Sequence, residues 1–476
     1  MEVRTRFAPS PTGFMHIGNL RTALYAYLFA KKHNGKFILR IEDTDAERFV
    51  EGAVEKIYAT LKKAGIKYDE GPDVGGDYGP YIQSQRKDIY LKYAKELIER
   101  GGAYYCFCDK ERLDSLVDEK GIKRYDKKCL RLTEQEIKQK LDLGVPYVIR
   151  QNMPTEGESG YEDLVFGHIS VPNNELEDHI LIKSDGMPTY NFANVVDDHL
   201  MNINYVIRGT EYLSSTPKYN LLYDSFGWQR PQYLHLPPIM KDAQRKLSKR
   251  YGDANFEDFI EKGYVPQAII NYIALLGWSP KGNEEKLSLE ELEKMFDISG
   301  ISKSPSIFDE QKMKWLNAQY LREFSLEEFN GLAVPFYEKS KVKGKYDYLK
   351  LSGLLQNRVE ILSEIPGMID FLEEFGAFDS RLYEHKKMKT DAAVAKTAVG
   401  GALEALKNAQ FNHEALMEAL TRKSEELGIK KGQMLFCVRV ALTGKESTPG
   451  GAVEIAELLG KEESLRRLEY SYKLIE

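Results

Sequence analysis

No apolar run in this 476-residue chain approaches the roughly 18–20 residues that a membrane-crossing helix needs. The opening MEVRTRFAPSP lacks the apolar stretch of a secretory leader. Cysteine is scarce, and four residues in a chain of this length do not make a disulfide framework. These absences set the expectation of a cytoplasmic protein with no membrane partner. Internal repeats, low-complexity tracts and coiled-coil heptads are also missing, which argues against solenoid and fibrous architectures. Excess positive charge is absent too: 67 Lys and Arg stand against 73 Asp and Glu, a net charge of −6. A large anionic ligand would therefore have to meet local basic patches rather than a basic surface.

What is present is ordinary in bulk and unusual in one place. Hydrophobic residues make up 42% and charged residues 29%, as in globular proteins. The length predicts about two to four domains. VRTRFA, at residues 3–8, alternates apolar and polar positions, with Val3, Thr5 and Phe7 on one side. From Asn19, a candidate N-cap, the residues Leu20, Ala23, Leu24, Tyr27 and Leu28 form a helical stripe. KFILRI (36–41) then suits a buried parallel strand. Strand, helix and strand in some forty residues predict a crossover within a doubly wound α/β sheet. The Gly- and Pro-rich DEGPDVGGDYGPY (69–81) reads as a loop and domain boundary. Strand-like HILIKS (179–184) and NYVIRG (204–209) follow an intervening α/β module, and SSTPKYNLLYDSFG reads as a helix. Beyond about residue 325 the pattern is helical, as in LSGLLQNRVEILSEI (351–365).

The unusual place is FAPSPTGFMHIGN, at residues 7–19, between the first strand and its helix. A helix N-terminus presents unpaired N–H groups and a partial positive charge, which favour phosphate. Gly13 and Gly18 allow close backbone approach, and His16 and Asn19 are one helical turn apart. Neither the phosphate-loop pattern GxxxxGK[ST] nor the spaced glycines of a dinucleotide fold fit this turn. A mononucleotide site with a histidine remains. Far downstream, KDAQRKLSKR (241–250) has five basic residues and one acidic, suited to a loop over polyphosphate. Arg6, Glu42 and Arg208 fall at or near the carboxyl ends of predicted strands, where open α/β sheets bind ligands. Arginine forks match carboxylates as lysine cannot.

HIGN resembles the HIGH signature of class I aminoacyl-tRNA synthetases, and KLSKR (246–250) resembles their KMSKS loop. RFAPSPTG, RIEDTD (40–45), GPYIQSQR (79–86), PTYNFANVVDDH (188–199) and VIRGTEYLSSTP (206–217) are similar to the glutamyl-tRNA synthetases in order and spacing. The resemblance implies a Rossmann-like sheet, at 1–80 and 186–240, split by an inserted acceptor-stem domain at 81–185. A stem-contact region at 241–325 and an α-helical anticodon-binding region at 326–476 would follow. It implies activation of L-glutamate with ATP and Mg2+, then transfer to tRNA(Glu), with tRNA needed for activation. His16, Lys246 and Lys249 would act on the triphosphate, and Gly18, Asn19, Glu211, Tyr212 and Leu247 would complete the ATP site. Asn19 stands where the signature has a second histidine, so one cationic phosphate contact is missing. Arg6, Tyr190 and Asn194 would take the side-chain carboxylate of glutamate, while Ser10, Glu42 and Arg208 hold its backbone groups. Arg358 aligns with an arginine that reads the last anticodon base. Cys106, Cys108 and Cys129 form a candidate zinc site. Arg131 stands where some relatives carry a histidine, and resemblance to the Tyr-x-x-x-Cys arrangement of a shortened relative nominates Tyr125 as the fourth ligand. The monomer is the expected state.

Four other readings share parts of these motifs. A shortened paralogue that modifies a tRNA base lacks the C-terminal third, and a glutamine-specific enzyme builds that third from β-barrels. Small-molecule nucleotidyltransferases share the HIGH turn without the C-terminal region. A silent tRNA-binding protein would have no use for the retained lysines and arginines.

Overall fold

The computed structural model describes residues 2–45, 50–116, 125–248 and 254–475. The chain divides into two compact units, one of residues 1–259 and 269–309, the other of 260–268 and 310–476.

The first unit is built on parallel strands. Strand β1 (Arg4–Phe7) pairs in parallel with β2 (Lys36–Leu39), and helix α1 (Ile17–Lys32) connects them. All four residues of β1 are buried, the polar positions of its alternating pattern included. The polar positions tolerate burial because each finds a carboxylate: Arg4 forks onto Glu70 at 2.8 and 3.1 Å, and Arg6 pairs with Asp198 at 3.1 Å. Helix α1 buries more than its expected stripe, since Tyr25, Ala26 and Phe29 are also inside. It is a central helix covered nearly all round, with Lys31 and Lys32 in its last turn opposing the helix dipole.

Helices α2 (Ala53–Lys63) and α3 (Lys87–Glu99) lead to the intervening module. There β3 (Ala103–Cys106), β4 (Val148–Gln151) and β7 (Ile180–Ile182) form an antiparallel sheet in the order β3-β4-β7. Short helices α4 (Lys110–Ser115) and α5 (Glu134–Asp142) lie between β3 and β4 in the chain. The hairpin of β5 (Glu158–Asp163) and β6 (Gly167–Pro172) belongs to a different sheet, in which β5 pairs in parallel with β9 (Gln232–Leu236). Strand β8 (Tyr205–Gly209) runs parallel to β9 on its other side. Asn204, just ahead of β8, ties that sheet to β1: its N–H donates to the Arg4 carbonyl, and its side chain accepts from the Arg4 N–H at 2.8 Å. Helices α6 (Tyr190–Leu200) and α7 (Thr216–Phe226) flank β8 in sequence, and a left-handed Gly227 ends α7.

The second unit is helical, and its described residues contain no strand. Helices Ala392–Lys407, His413–Glu426, Lys431–Thr443 and Ala452–Leu474 share one apolar core that includes Leu406, Leu420, Val438 and Leu468. One expectation fails here. The helix read over 351–365 ends at Leu355, so Arg358 lies in the turn beyond it rather than on a helix.

Candidate active site

The carboxyl ends of β1, β2 and β8 open onto a cleft of about 380 Å³. Arg6, Ser10, Asn19, Glu42, Tyr190, Arg208, Glu211 and Tyr212 all line it. Strand topology explains the gathering, because parallel strands present their carboxyl ends on one edge. Asn194 does not line it: this buried amide donates to the Tyr190 carbonyl at 2.7 Å within α6. Gly18, His16, Lys246 and Leu247 lie outside the lining as well.

The turn ahead of α1 differs from its reading in one respect. His16, not Asn19, caps the helix: its Nδ1 accepts from the Gly18 N–H at 3.0 Å. An imidazole lone pair here does what an Asn or Ser side chain usually does, which leaves the exposed Asn19 side chain free to line the cleft. The same turn pairs with the chain beyond the lysine motif. His16 bridges Asn255, the Ile17 N–H donates to the Ala254 carbonyl at 2.8 Å, and Phe256 N–H donates to the Met15 carbonyl at 3.1 Å. Lys246 is exposed, and buried Leu247 anchors the motif through its N–H to the Ile239 carbonyl. Lys249 lies outside the described residues.

Behind the cleft is a buried charge network. Asp198 receives Arg6 and, at 2.7 Å, Arg40; Arg40 also donates to Glu42 at 2.9 Å. Asp197 takes Arg86 at 2.7 Å, Gln83 at 2.9 Å and the Tyr90 hydroxyl at 2.8 Å. Burial would raise the Asp198 carboxyl, but Arg6 and Arg40 hold it below the ordinary value. For Glu42 burial wins and its carboxyl sits above the ordinary value, opposed by Arg40. Of these groups the sequence pointed to Arg6 and Glu42. Asp197 and Asp198, within the motif PTYNFANVVDDH, anchor the arginines, and Arg40 opens the motif RIEDTD without having been given a role of its own.

Arg208 is held differently. Its Nε donates to His235 Nε2 at 3.1 Å and its Nη2 to Thr216 Oγ1 at 2.6 Å. The guanidinium stacks 4.9 Å from the Tyr212 and Tyr219 ring centres and 5.4 Å from that of Tyr233.

Away from the cleft, the sulfurs of Cys106, Cys108 and Cys129 lie within 4.8 Å of one another. The Tyr125 hydroxyl is 3.3 Å from Cys106 Sγ and 3.6 Å from Cys108 Sγ. Three thiols and a phenol converging at these separations fit a four-coordinate metal. In the helical unit, exposed Arg358 borders a depression of about 520 Å³ with Met368, Asp370, Lys445, Thr448 and Pro449.

Residues 2–315 match the family model "tRNA synthetases class I (E and Q), catalytic domain", and residues 318–472 match "Anticodon binding domain". The chain is 56% identical over 480 residues to the glutamate–tRNA ligase of Clostridium acetobutylicum, covering 100% of this chain and 99% of that one. It is 58% identical over 477 residues to the ligase of Clostridium kluyveri, covering 99% and 98%. The crystal structure of a glutamate tRNA ligase from Elizabethkingia meningosepticum, in complex with its amino acid, superposes with a TM-score of 0.90 at 36% identity, covering 100% of both chains. With its parallel-stranded cleft, its helical second unit and these relatives over its whole length, this chain belongs to the glutamate–tRNA ligases, a family of class I aminoacyl-tRNA synthetases.

Proposed function

We propose that the protein activates L-glutamate with ATP and transfers it to the 3′ end of tRNA(Glu). The reading rests above all on the cleft, which brings the Arg6 and Arg208 guanidinium groups and the Glu42 carboxylate to one volume of about 380 Å³, ample for an amino acid. Free glutamate carries two carboxylates and one ammonium, the complementary set. Arg6 with Tyr190 takes the side-chain carboxylate; Arg208 and Ser10 take the α-carboxylate; Glu42 takes the ammonium. Asn194 acts through Tyr190, whose carbonyl it caps.

ATP lies over the α1 N-terminus, against His16, Gly18 and Asn19, with adenosine toward Glu211 and Tyr212. Attack by the α-carboxylate on the α-phosphorus releases pyrophosphate. This chemistry needs alignment and charge neutralisation more than a strong base. Helix amides, Lys246 and Lys249 supply donors there, Leu247 anchors their loop, and Mg2+ rides on the triphosphate. The backbone pairing of Met15–Ile17 with Ala254–Phe256 supports the approach of the two motifs.

The region 81–185 holds the acceptor stem, 241–325 the adjoining stem, and 326–476 the anticodon, with Arg358 at its last base. Zn2+ is held by Cys106, Cys108, Cys129 and Tyr125. A cytoplasmic monomer completes the reading; no helix among the described residues is long and apolar enough to cross a membrane.

Glutamate-dependent ATP–pyrophosphate exchange, measured with and without tRNA(Glu), tests the proposal. Exchange with glutamate that requires tRNA is expected. Exchange driven by a substrate that is not an amino acid, or none with tRNA still bound, would overturn it.

A further inference from the structure

The two arginines of the cleft are fixed by opposite means. Arg6 is paired directly with a carboxylate, that of Asp198. Arg208 has no carboxylate partner among the described residues; its Nε meets the neutral side of an imidazole. We infer that His235 and Asp163 are positioning residues, which orient Arg208 toward the α-carboxylate of glutamate without neutralising its charge. The inference rests on the glutamate-binding role given to Arg208 above.

The protonation of the chain is fixed by chemistry. Arginine has donors only, so His235 Nε2 must accept. Its one proton then sits on Nδ1 and is donated to Asp163 Oδ2 at 2.7 Å. Thr216 cannot compete as a donor, because its hydroxyl proton goes to the Tyr212 carbonyl at 2.8 Å while its oxygen accepts from Arg208. Asp163 is itself immobilised by three backbone donors: His235 N–H on Oδ2 at 3.1 Å, and Val165 and Phe166 N–H on Oδ1 at 2.9 and 2.8 Å. Both side chains are fully buried. Burial and then Arg208 depress the imidazolium, with Asp163 opposing, so the ring stays neutral.

The consequence is electrostatic. A carboxylate placed on Arg208 Nε would satisfy it equally well but would cancel much of its attraction for an incoming carboxylate. The imidazole moves the negative charge one residue further off while leaving an acceptor in contact. Nε and Nη2 are occupied, and Nη1 has no hydrogen-bond partner among the described residues in a side chain that lines the cleft.

The test uses the full-length protein in tRNA-dependent pyrophosphate exchange, with KM for glutamate and for ATP measured separately from kcat. H235N keeps a donor near Asp163 but cannot reach Arg208, and it is expected to raise KM for glutamate about ten-fold. KM for ATP should stay within about two-fold. H235Q restores an acceptor at the Nε2 position and should recover most of the loss. T216V removes the Nη2 acceptor and the hydroxyl's bond to the Tyr212 carbonyl, and should raise KM for glutamate about three-fold. D163N, expected to raise it likewise with KM for ATP unchanged, decides the matter if the His235 variants fail to fold. R208K separates the two readings. If R208K raises KM for glutamate while H235N and T216V leave it unchanged, the positioning role is overturned and the binding role of Arg208 stands. If R208K leaves it unchanged, the binding role itself is wrong. Equal losses in H235N and H235Q, with both KM values and kcat affected, would reduce His235 to a packing residue.

Discussion

The Asp198 carboxylate lies 3.1 Å from the Arg6 guanidinium and accepts from Arg40 on the same oxygen. One buried anion thus fixes both the arginine that faces the cleft and the one that carries Glu42. Asp198→Asn keeps the volume and removes the charge, leaving two buried guanidinium groups short of a partner. Unfolding free energy should fall by about 3 kcal/mol, read from urea midpoints. KM for glutamate should rise more than KM for ATP.

Arg6 is best probed by truncation. The obvious charge reversal, Arg6→Glu, would set a second buried carboxylate against Asp198 and damage the fold. Arg6→Met keeps the length and removes the charge. It should lower kcat/KM for glutamate by about a hundred-fold or more, the loss expected when a buried ionic hydrogen bond disappears. Pyrophosphate exchange at saturating ATP and tRNA measures this.

His179 gives stability a pH dependence. Burial pushes its imidazole down to about 3, with Lys218 adding to the effect. The unfolded chain takes up this proton near the ordinary value of about 6.5, and the folded chain only near 3, so stability falls as pH drops through that window. The contribution approaches about 1.4 kcal/mol per pH unit once the pH is well below 6.5. Urea midpoints between pH 7.5 and 5 should show the decline, and His179→Gln should flatten it by one proton's worth.

The thiol cluster predicts about one equivalent of Zn2+ per chain in protein prepared without chelator, measured by elemental analysis. Cys129→Ser should lose it. Tyr125→Phe, which removes the weakest donor, should weaken retention without abolishing it. Stripping the metal should lower the melting temperature, since binding and folding are linked.

Arg358→Gln should relax discrimination between tRNA(Glu) and tRNA(Gln) transcripts. Arg358 is exposed beside a depression, and its charge adds to the effect of burial in lowering the Arg439 guanidinium. An arginine fork only donates to a base edge, whereas a glutamine amide both donates and accepts, so the substitution changes which base is favoured. Unchanged relative charging of the two transcripts would remove Arg358 from recognition.

Much of the fold was legible. The strands at β1, β2 and β8 and the helices α1 and α7 follow from short apolar runs and helical periodicity, to within one or two residues at most ends. The failures are instructive. Arg358 left its helix because Leu351 and Leu355 bury as helical neighbours, whereas the apolar residues that follow bury in a turn and a short 3-10 segment. Asn19 lost the cap to His16, a residue type rarely expected there, because an imidazole nitrogen can accept as well as an amide oxygen.

By itself the sequence determined which chemical groups are available: a histidine turn, a lysine loop, two arginines and a glutamate at the carboxyl ends of parallel strands. Those follow from local pattern, since strand direction and length set where such ends fall. Only the tertiary structure decided how each arginine is held. Asp198 reaches Arg6 across 192 residues, and Asp163 reaches His235 across 72. A buried charge is governed by the partner that packing brings to it, and no local pattern carries that partner.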